Sequence, residues 1–367
     1  MKTRAIACFL LVAWMSAEAY SAPLDAAADR TPSSRKIRYG FFGEWLWMRG
    51  FAQGYDYGIT TDSVVYGTMS IVKERQNGNV PNPTMKSALG YRVWLSGIND
   101  EKSTSAAIAY TKLYSKAKSR KFSIELPAIG GSDPVVILGP NFVRAWNLGS
   151  GGSIDDSECQ ARLYSVLKQL DLSFQRALID QPHFAFSGIA MIQGIILEES
   201  FRLIAHSDDF GGGSYGLAPF SEMKIHNNFR GFGPGLGIAA KARFLRYFSW
   251  DNLATMSLYW GQFSLNQYEQ FHSADGAMAL PPLFDAESEM RRTSIKSGIR
   301  LSSKIQFEGG KKQKVLFAIG YEVDYFPNQA QLLRFVPFDP SNLSFAAVKQ
   351  KGDIAFHGVS GTAGFSF

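Results

Sequence analysis

Alternation of apolar and polar residues, sustained over ten or more positions, constrains this chain more than any other feature. Between Thr293 and Phe307, Ile295, Ile299, Leu301, Ile305 and Phe307 share one parity, while Lys296, Arg300, Lys304 and Gln306 share the other. A helix would scatter both sets around its circumference, whereas a strand sends successive side chains to opposite faces and sorts them. The next segment repeats the pattern, with Val315, Phe317, Ile319, Tyr321, Val323 and Tyr325 opposite Glu322 and Asp324. Only residues 308–313 lie between the two, which predicts a hairpin. Strands of soluble sheets peak at about five to six residues, so runs of this length match a tilted bilayer crossing instead.

Further alternating segments at 39–50, 86–98, 104–115, 161–176, 184–198, 228–244, 253–268 and 353–367 bring the expected number of strands to ten. The connections alternate in length. Short ones span 99–103, 177–183, 245–252 and 308–313, and long ones span 51–85, 116–160, 199–227, 269–292 and 329–352. An up-and-down antiparallel barrel with both termini in the periplasm has this signature, because its periplasmic turns are tight and its outer loops long. Ser63 to Lys73 also alternates, so a further strand pair giving twelve stays open. The fold class expected is all-β, a transmembrane up-and-down antiparallel barrel.

The first residues place Lys2 and Arg4 before an apolar stretch from Ala5 to Met15 and a small-x-small exit at Ala17-Glu18-Ala19. That is the pattern of a secretory signal, too short for a membrane anchor. The expected organisation is a signal over 1–19, or cleavage after Ala22, then a periplasmic leader over 20–38 and a single barrel domain over 39–367. Cys8 would leave with the signal. Cys159 would remain as the only thiol, at the end of the second long loop, so no intramolecular disulfide can form. Hydrophobic residues make up 46% of the chain, yet no later stretch is apolar for long enough to cross a bilayer as a helix. The net charge of +6 falls to about +5 without the signal, too mild for a nucleic-acid partner.

If the apolar parity faces lipid, the other faces the lumen. Lys296, Arg300 and Lys304 then point inward beside Glu322 and Asp324, because Lys or Arg on the lipid face of a barrel costs roughly 2–4 kcal/mol at the bilayer midplane. Arg92, Lys241 and Arg243 join them as candidates for the lumen wall. Three cations against two anions leave a small positive excess on the β-hairpin. Gly231, Gly233, Gly235 and Gly237 share one parity opposite Phe232, Leu236 and Ile238, so they either widen the channel or let a loop fold against the wall. Pro234 cannot donate to a ladder and marks a bulge. Aromatics near segment ends, as in Trp45 and Trp47, Tyr110 and Tyr114, Tyr247 and Trp250, Tyr259 and Trp260, and Tyr325 and Phe326, suit interfacial girdles.

For catalysis only His206, Asp208 and Asp209 attract notice, as a rim-protease arrangement weighed against an ordinary polar loop running into three glycines. Asp155 and Asp156 read as a wet loop. No metal-ligand spacing is present among the five histidines. Neither catalysis nor a cofactor is expected.

The last strand, DIAFHGVSGTAGFSF, places Val359, Ala363, Phe365 and Phe367 on one parity and resembles the C-terminal signature read by the barrel-assembly machinery. A closer resemblance is carried by Gly90-Tyr91-Arg92-Val93, Tyr110-Thr111, Phe186-Ser187-Gly188, Phe229-Arg230-Gly231-Phe232-Gly233-Pro234, Trp260-Gly261-Gln262-Phe263, Gly320-Tyr321-Glu322 and His357-Gly358 before Phe367. In order and spacing these pieces resemble the Legionella-type major outer membrane protein family, which also occurs in chlamydia-like bacteria. The resemblance implies an abundant porin-like barrel that is also a surface antigen or adhesin, and it supplies no catalytic residues. The leading expectation is thus a bacterial outer-membrane pore passing small hydrophilic solutes passively, with ion transport through a polar lumen. The rival is a structural or adhesive barrel without a useful channel. Expected partners are outer-membrane lipid and lipopolysaccharide, small hydrophilic solutes, and the assembly machinery through Phe367; a host-surface ligand and a homo-oligomer stay open.

Overall fold

The computed structural model describes residues 37–52, 58–66, 75–76, 85–99, 101–118, 122–123, 135–144, 156–207, 220–245, 247–272, 286–309, 313–339 and 344–367. The expected signal and nearly all of the leader lie outside these residues. In chain order the strands are β1 (Ile37–Ala52), β2 (Gly58–Tyr66), β3 (Arg75–Gln76), β4 (Met85–Asn99), β5 (Thr104–Lys118), β6 (Phe122–Ser123) and β7 (Val135–Arg144). They continue as β8 (Asp156–Asp180), β9 (Phe184–Ser207), β10 (Phe220–Leu245), β11 (Phe248–His272), β12 (Ala286–Gly309), β13 (Lys314–Asp339) and β14 (Ser344–Ser366).

Ten of them close an antiparallel barrel in the order β5-β4-β1-β14-β13-β12-β11-β10-β9-β8, with β8 pairing back onto β5. The first and last described strands, β1 and β14, meet in this closure. Gly40 lies opposite Ser366 in the β1–β14 ladder, and the amides of Tyr39 and Phe367 each donate to the other's carbonyl. Ten crossings therefore stand, and the open alternative of twelve does not. β2 pairs with β3 and β7 in a separate three-stranded sheet, and β6 only lengthens the β8 edge. The alternation after Ser63 contributes to that small sheet through Val64 and Val65.

The strands at the long-loop end outrun the predicted segments, because β9 continues to Ser207, β10 already starts at Phe220 and β13 runs to Asp339. Their ladders stay paired there, as in Ile225 with Phe201 and Leu332 with Gln350. Hydropathy loses its period where water replaces lipid outside, while backbone hydrogen bonds continue to hold the hairpin. For the same reason Cys159 lies within β8 and not at the end of a loop.

One parity of every barrel strand forms an exposed apolar belt. Trp45 is 81% exposed, Leu236 71% and Ile295 72%, alongside Phe41, Leu95, Leu172, Ile192, Leu258 and Ile319. A water-soluble surface does not sustain so continuous an apolar band, and a bilayer requires it. At the short-turn end the belt closes in an aromatic girdle, with Tyr247, Phe248 and Phe307 in contact at ring-centroid distances of 5.4–6.0 Å. Phe41 meets Phe365 at 6.1 Å, next to the terminal Phe367. Two residues assigned to the girdles face the other way: Tyr259 and Phe326 are buried inside the barrel, because they fall on the inward parity of β11 and β13.

Pro234 makes no bulge. The register of β10 against β11 is the same on both sides of it, from Phe232 opposite Trp260 to Gly235 opposite Ser257, and pairing with β9 runs through it unbroken. The ladder with β11 lapses for two residues, so the missing donor is absorbed without inserting a residue.

Candidate functional site

The lumen divides into levels along the barrel axis. Toward the long loops it is filled by an apolar core containing Leu46, Met48, Leu113, Leu163, Leu167, Phe201, Phe229, Phe263 and Phe356, all at most 2% exposed. Next to this core, toward the short turns, lies a layer of buried charge. At this level inward side chains from strands that are not neighbours meet across the described lumen.

Two ionic centres make up the charged layer. In the first, Arg92 on β4 donates to Glu44 on β1 at 2.7 Å and forks onto both oxygens of Glu322 on β13 at 3.0 and 3.1 Å, while its Nε donates to Thr111 at 3.0 Å. Lys304 on β12 reaches Glu322 at 2.7 Å and also pairs with Glu44, whose remaining contact is the Thr362 hydroxyl at 3.1 Å. The side chains of Glu44 and Glu322 are 0% and 1% exposed, so these carboxylates depend on protein donors in place of water.

In the second centre, Arg300 on β12 donates to Asp324 directly opposite on β13 at 2.7 Å, to Asp171 on β8 at 3.3 Å and to Gln169 at 2.8 Å. Asp171 accepts further from the amides of Gln169 and Gln193, at 2.8 and 2.9 Å. Gln193 in turn accepts from Tyr259 at 3.0 Å and from Ser257. Three strands separate β8 from β12 along one wall and five along the other, so the Arg300 to Asp171 contact is a strut across the lumen.

The candidates distribute as follows. Arg92, Lys296, Arg300, Lys304, Glu322 and Asp324 all point inward; Lys296 donates to the Asn328 carbonyl and lies 5.6 Å from the centre of the Phe263 ring. Lys241 and Arg243 are inward too, but at the short-turn rim. There Lys241 faces Asp251 at 3.8 Å and Glu308 at 4.0 Å, and Arg243 faces Asp180 at 3.6 Å and the Gln181 carbonyl at 2.9 Å.

The expected positive excess disappears, because Glu44 and Asp171 join Glu322 and Asp324 against Arg92, Lys296, Arg300 and Lys304. Both missing carboxylates sit on strands other than the hairpin. Their only signal in the sequence is a single acid of inward parity inside an aromatic or aliphatic run, GFFGEWLW for Glu44 and QLDLSF for Asp171.

Gly231, Gly233, Gly235 and Gly237 face inward, and among the described residues the space beside each is occupied by neighbouring groups of the wall. A Cβ on Gly233 would lie 1.9 Å from the Leu258 carbonyl oxygen, and one on Gly235 would lie 2.4 Å from the Ser257 hydroxyl and 2.8 Å from Met191. The absent side chains let neighbouring groups close over β10.

Of the rim-protease residues, His206 belongs to β9 opposite Phe220, whereas Asp208 and Asp209 lie outside the described residues, as does Asp155 of the expected wet loop. Asp156 starts β8. Among the described residues no group of three or more His, Cys, Asp or Glu side chains could hold a metal.

No family model matches the chain, and no curated protein does. Among solved structures it is similar to the outer membrane protease OmpT of Escherichia coli, with 10% identity and a TM-score of 0.40 over 91% of this chain and 97% of that one. It is also similar to a Pseudomonas aeruginosa FadL homologue, with 7% identity and a TM-score of 0.25 over 90% of each chain. The Pseudomonas putida toluene transporter TodX gives 8% identity and a TM-score of 0.26 over 91% of this chain and 90% of that one. Likeness at this level carries no argument about activity. The assignment rests on the chain's own ladders and belt, which are those of an outer-membrane β-barrel.

Proposed function

We propose that this protein is a closed outer-membrane barrel, a rigid wall that displays its long loops at the cell surface, and not a pore for free diffusion of small hydrophilic solutes. The observation that supports this reading is the occupied lumen: Arg300 bridges to Asp171 across it, and packed Phe201, Phe229, Phe263 and Phe356 lie on the long-loop side. A ten-stranded wall is narrow, so side chains of this size suffice to fill it. A conducting porin keeps opposite charges apart along a wet wall, whereas here they neutralise one another in pairs.

Surface display in this reading takes the antigen or adhesin role implied by the family resemblance and assigns no ligand to the loops. Recording from the refolded protein in a planar bilayer tests it. The expected trace shows no steady ohmic conductance in molar salt. A stable conductance that scales with salt concentration in the unaltered protein refutes the closed-barrel reading and restores the porin one.

A further inference from the structure

On the outer wall the strand registers draw three neighbouring rows across β5, β8, β9, β10 and β11 that no property of the lumen explains. Lys112 on β5 lies opposite Lys168 on β8, Lys168 opposite Ile196 on β9, Ile196 opposite Arg230 on β10, and Arg230 opposite Gln262 on β11. One step nearer the short turns the same strands give Tyr110, Leu170, Gly194, Phe232 and Trp260. A further step gives Ile108, Leu172, Ile192 and Pro234. All three rows have outward parity. On these strands the apolar residues thus give way to polar ones between the second row and the first, so the cations stand at the local edge of the belt on its long-loop side, where lipid tails give way to headgroups.

A groove of about 660 Å³ opens at that boundary, lined by Leu170, Ile196, Phe232 and Trp260, with Lys168 and Arg230 on its rim. Its floor is Gly194. A Cβ built there meets nothing closer than the Leu170 carbonyl oxygen at 4.0 Å, so the glycine leaves real space and does not relieve a crowded backbone. Gln262 and Thr293, which face each other across β11 and β12, add neutral polar groups to the same rim. Lys168 bonds both oxygens of Glu198, at 3.2 and 3.3 Å, on the side away from the belt. Arg230 and Lys112, by contrast, take part in no ion pair or hydrogen bond among the described residues.

We infer that this groove binds one phosphorylated, acylated glycolipid of the leaflet at the long-loop end. An acyl chain lies over Gly194 between Phe232 and Trp260, the phosphate is held by Arg230 and Lys168 with Lys112 beside them, and sugar hydroxyls meet Gln262 and Thr293. Charge complementarity selects a phosphate, because the rim presents Lys168 and Arg230, Lys112 stands beside Lys168 in the same row, and the one carboxylate bonded to them, Glu198, lies on the far side of Lys168 from the belt. The tail is selected by the aromatic walls, and the neutral donors and acceptors favour a sugar headgroup over a bare phosphodiester. The inference rests on the barrel standing in a bilayer with its belt in the hydrocarbon, and it is independent of whether the lumen conducts.

Native mass spectrometry of the refolded barrel in a neutral polyoxyethylene detergent tests it. The probe is a bisphosphorylated, hexa-acylated glucosamine disaccharide, compared with the same lipid stripped of its phosphates. The unaltered protein is expected to retain one lipid, and the dephosphorylated form is expected to bind at least tenfold more weakly. The double variant Lys168→Ala/Arg230→Ala is expected to lose tenfold or more. Gly194→Leu, which keeps every cation and fills the groove, is expected to lose a similar factor. Gly361→Leu, which also has open space around it but lies on β14, is expected to change nothing. Heat-modified gel mobility confirms that each variant is folded. Equal binding by Gly194→Leu overturns the acyl groove, and equal binding of the dephosphorylated lipid overturns the phosphate site. Full displacement of the lipid by millimolar inorganic phosphate would reduce the site to a simple anion contact and also overturn the inference. None of these outcomes bears on bilayer conductance, so failure here is distinguishable from failure of the closed-barrel reading.

Discussion

Replacing Arg92 by methionine asks whether the lumen is dry. Arg92 supplies three of the hydrogen bonds that reach Glu44 and Glu322 and a fourth to Thr111. Without it, two carboxylates with almost no exposure are left to share Lys304, apart from the Thr362 hydroxyl on Glu44. Stranding a buried charge in this way costs about 3–5 kcal/mol, whereas an ion pair in contact with water contributes about 0–1 kcal/mol. The two descriptions of the lumen therefore differ by several kcal/mol on one substitution. Urea titration of the barrel in lipid vesicles, followed by tryptophan fluorescence, measures the difference. The expected loss for Arg92→Met is about 3–5 kcal/mol, and the charge-balanced pair Arg92→Met/Glu322→Gln should recover most of it, because Glu44 then keeps Lys304 to itself. A loss under about 1 kcal/mol for Arg92→Met, with no recovery in the pair, would refute a sealed network and mean that water reaches both carboxylates.

Other outcomes are open to direct measurement. Gly233→Ala should lower stability by roughly 1–3 kcal/mol or block folding, since its Cβ would sit 1.9 Å from the Leu258 carbonyl oxygen, while Gly361→Ala, with nothing within 4 Å, should be nearly neutral in the same titration. In a Cys159→Ser background, Lys102→Cys in the exposed turn after β4 should resist an impermeant maleimide on intact cells and react once the outer membrane is broken; labelling on intact cells would invert the topology. Intact-mass measurement on protein from the outer membrane should give a chain starting at Tyr20, or at Pro23, and retention of Met1 would remove the argument for a cleaved signal.

The sequence by itself determined the wall. Period-two alternation depends only on which neighbours along the chain face lipid, so Ile295, Ile299 and Leu301 could be sorted from Lys296, Arg300 and Lys304 without any tertiary information. Connection lengths then ordered the strands, and the ten segments were all legible. The ends of the long strands were not, because beyond the bilayer both faces of a hairpin meet polar surroundings and the period fades while the backbone ladder runs on. Parity also says nothing about what lies across a lumen. Asp171 is separated from Arg300 by 129 positions and Glu44 from Lys304 by 260, and neither pair is adjacent in the sheet. Only closure of the sheet on itself brings them within bonding distance. Only that closure joins the polar stripes of separate strands into one hydrogen-bonded ionic network.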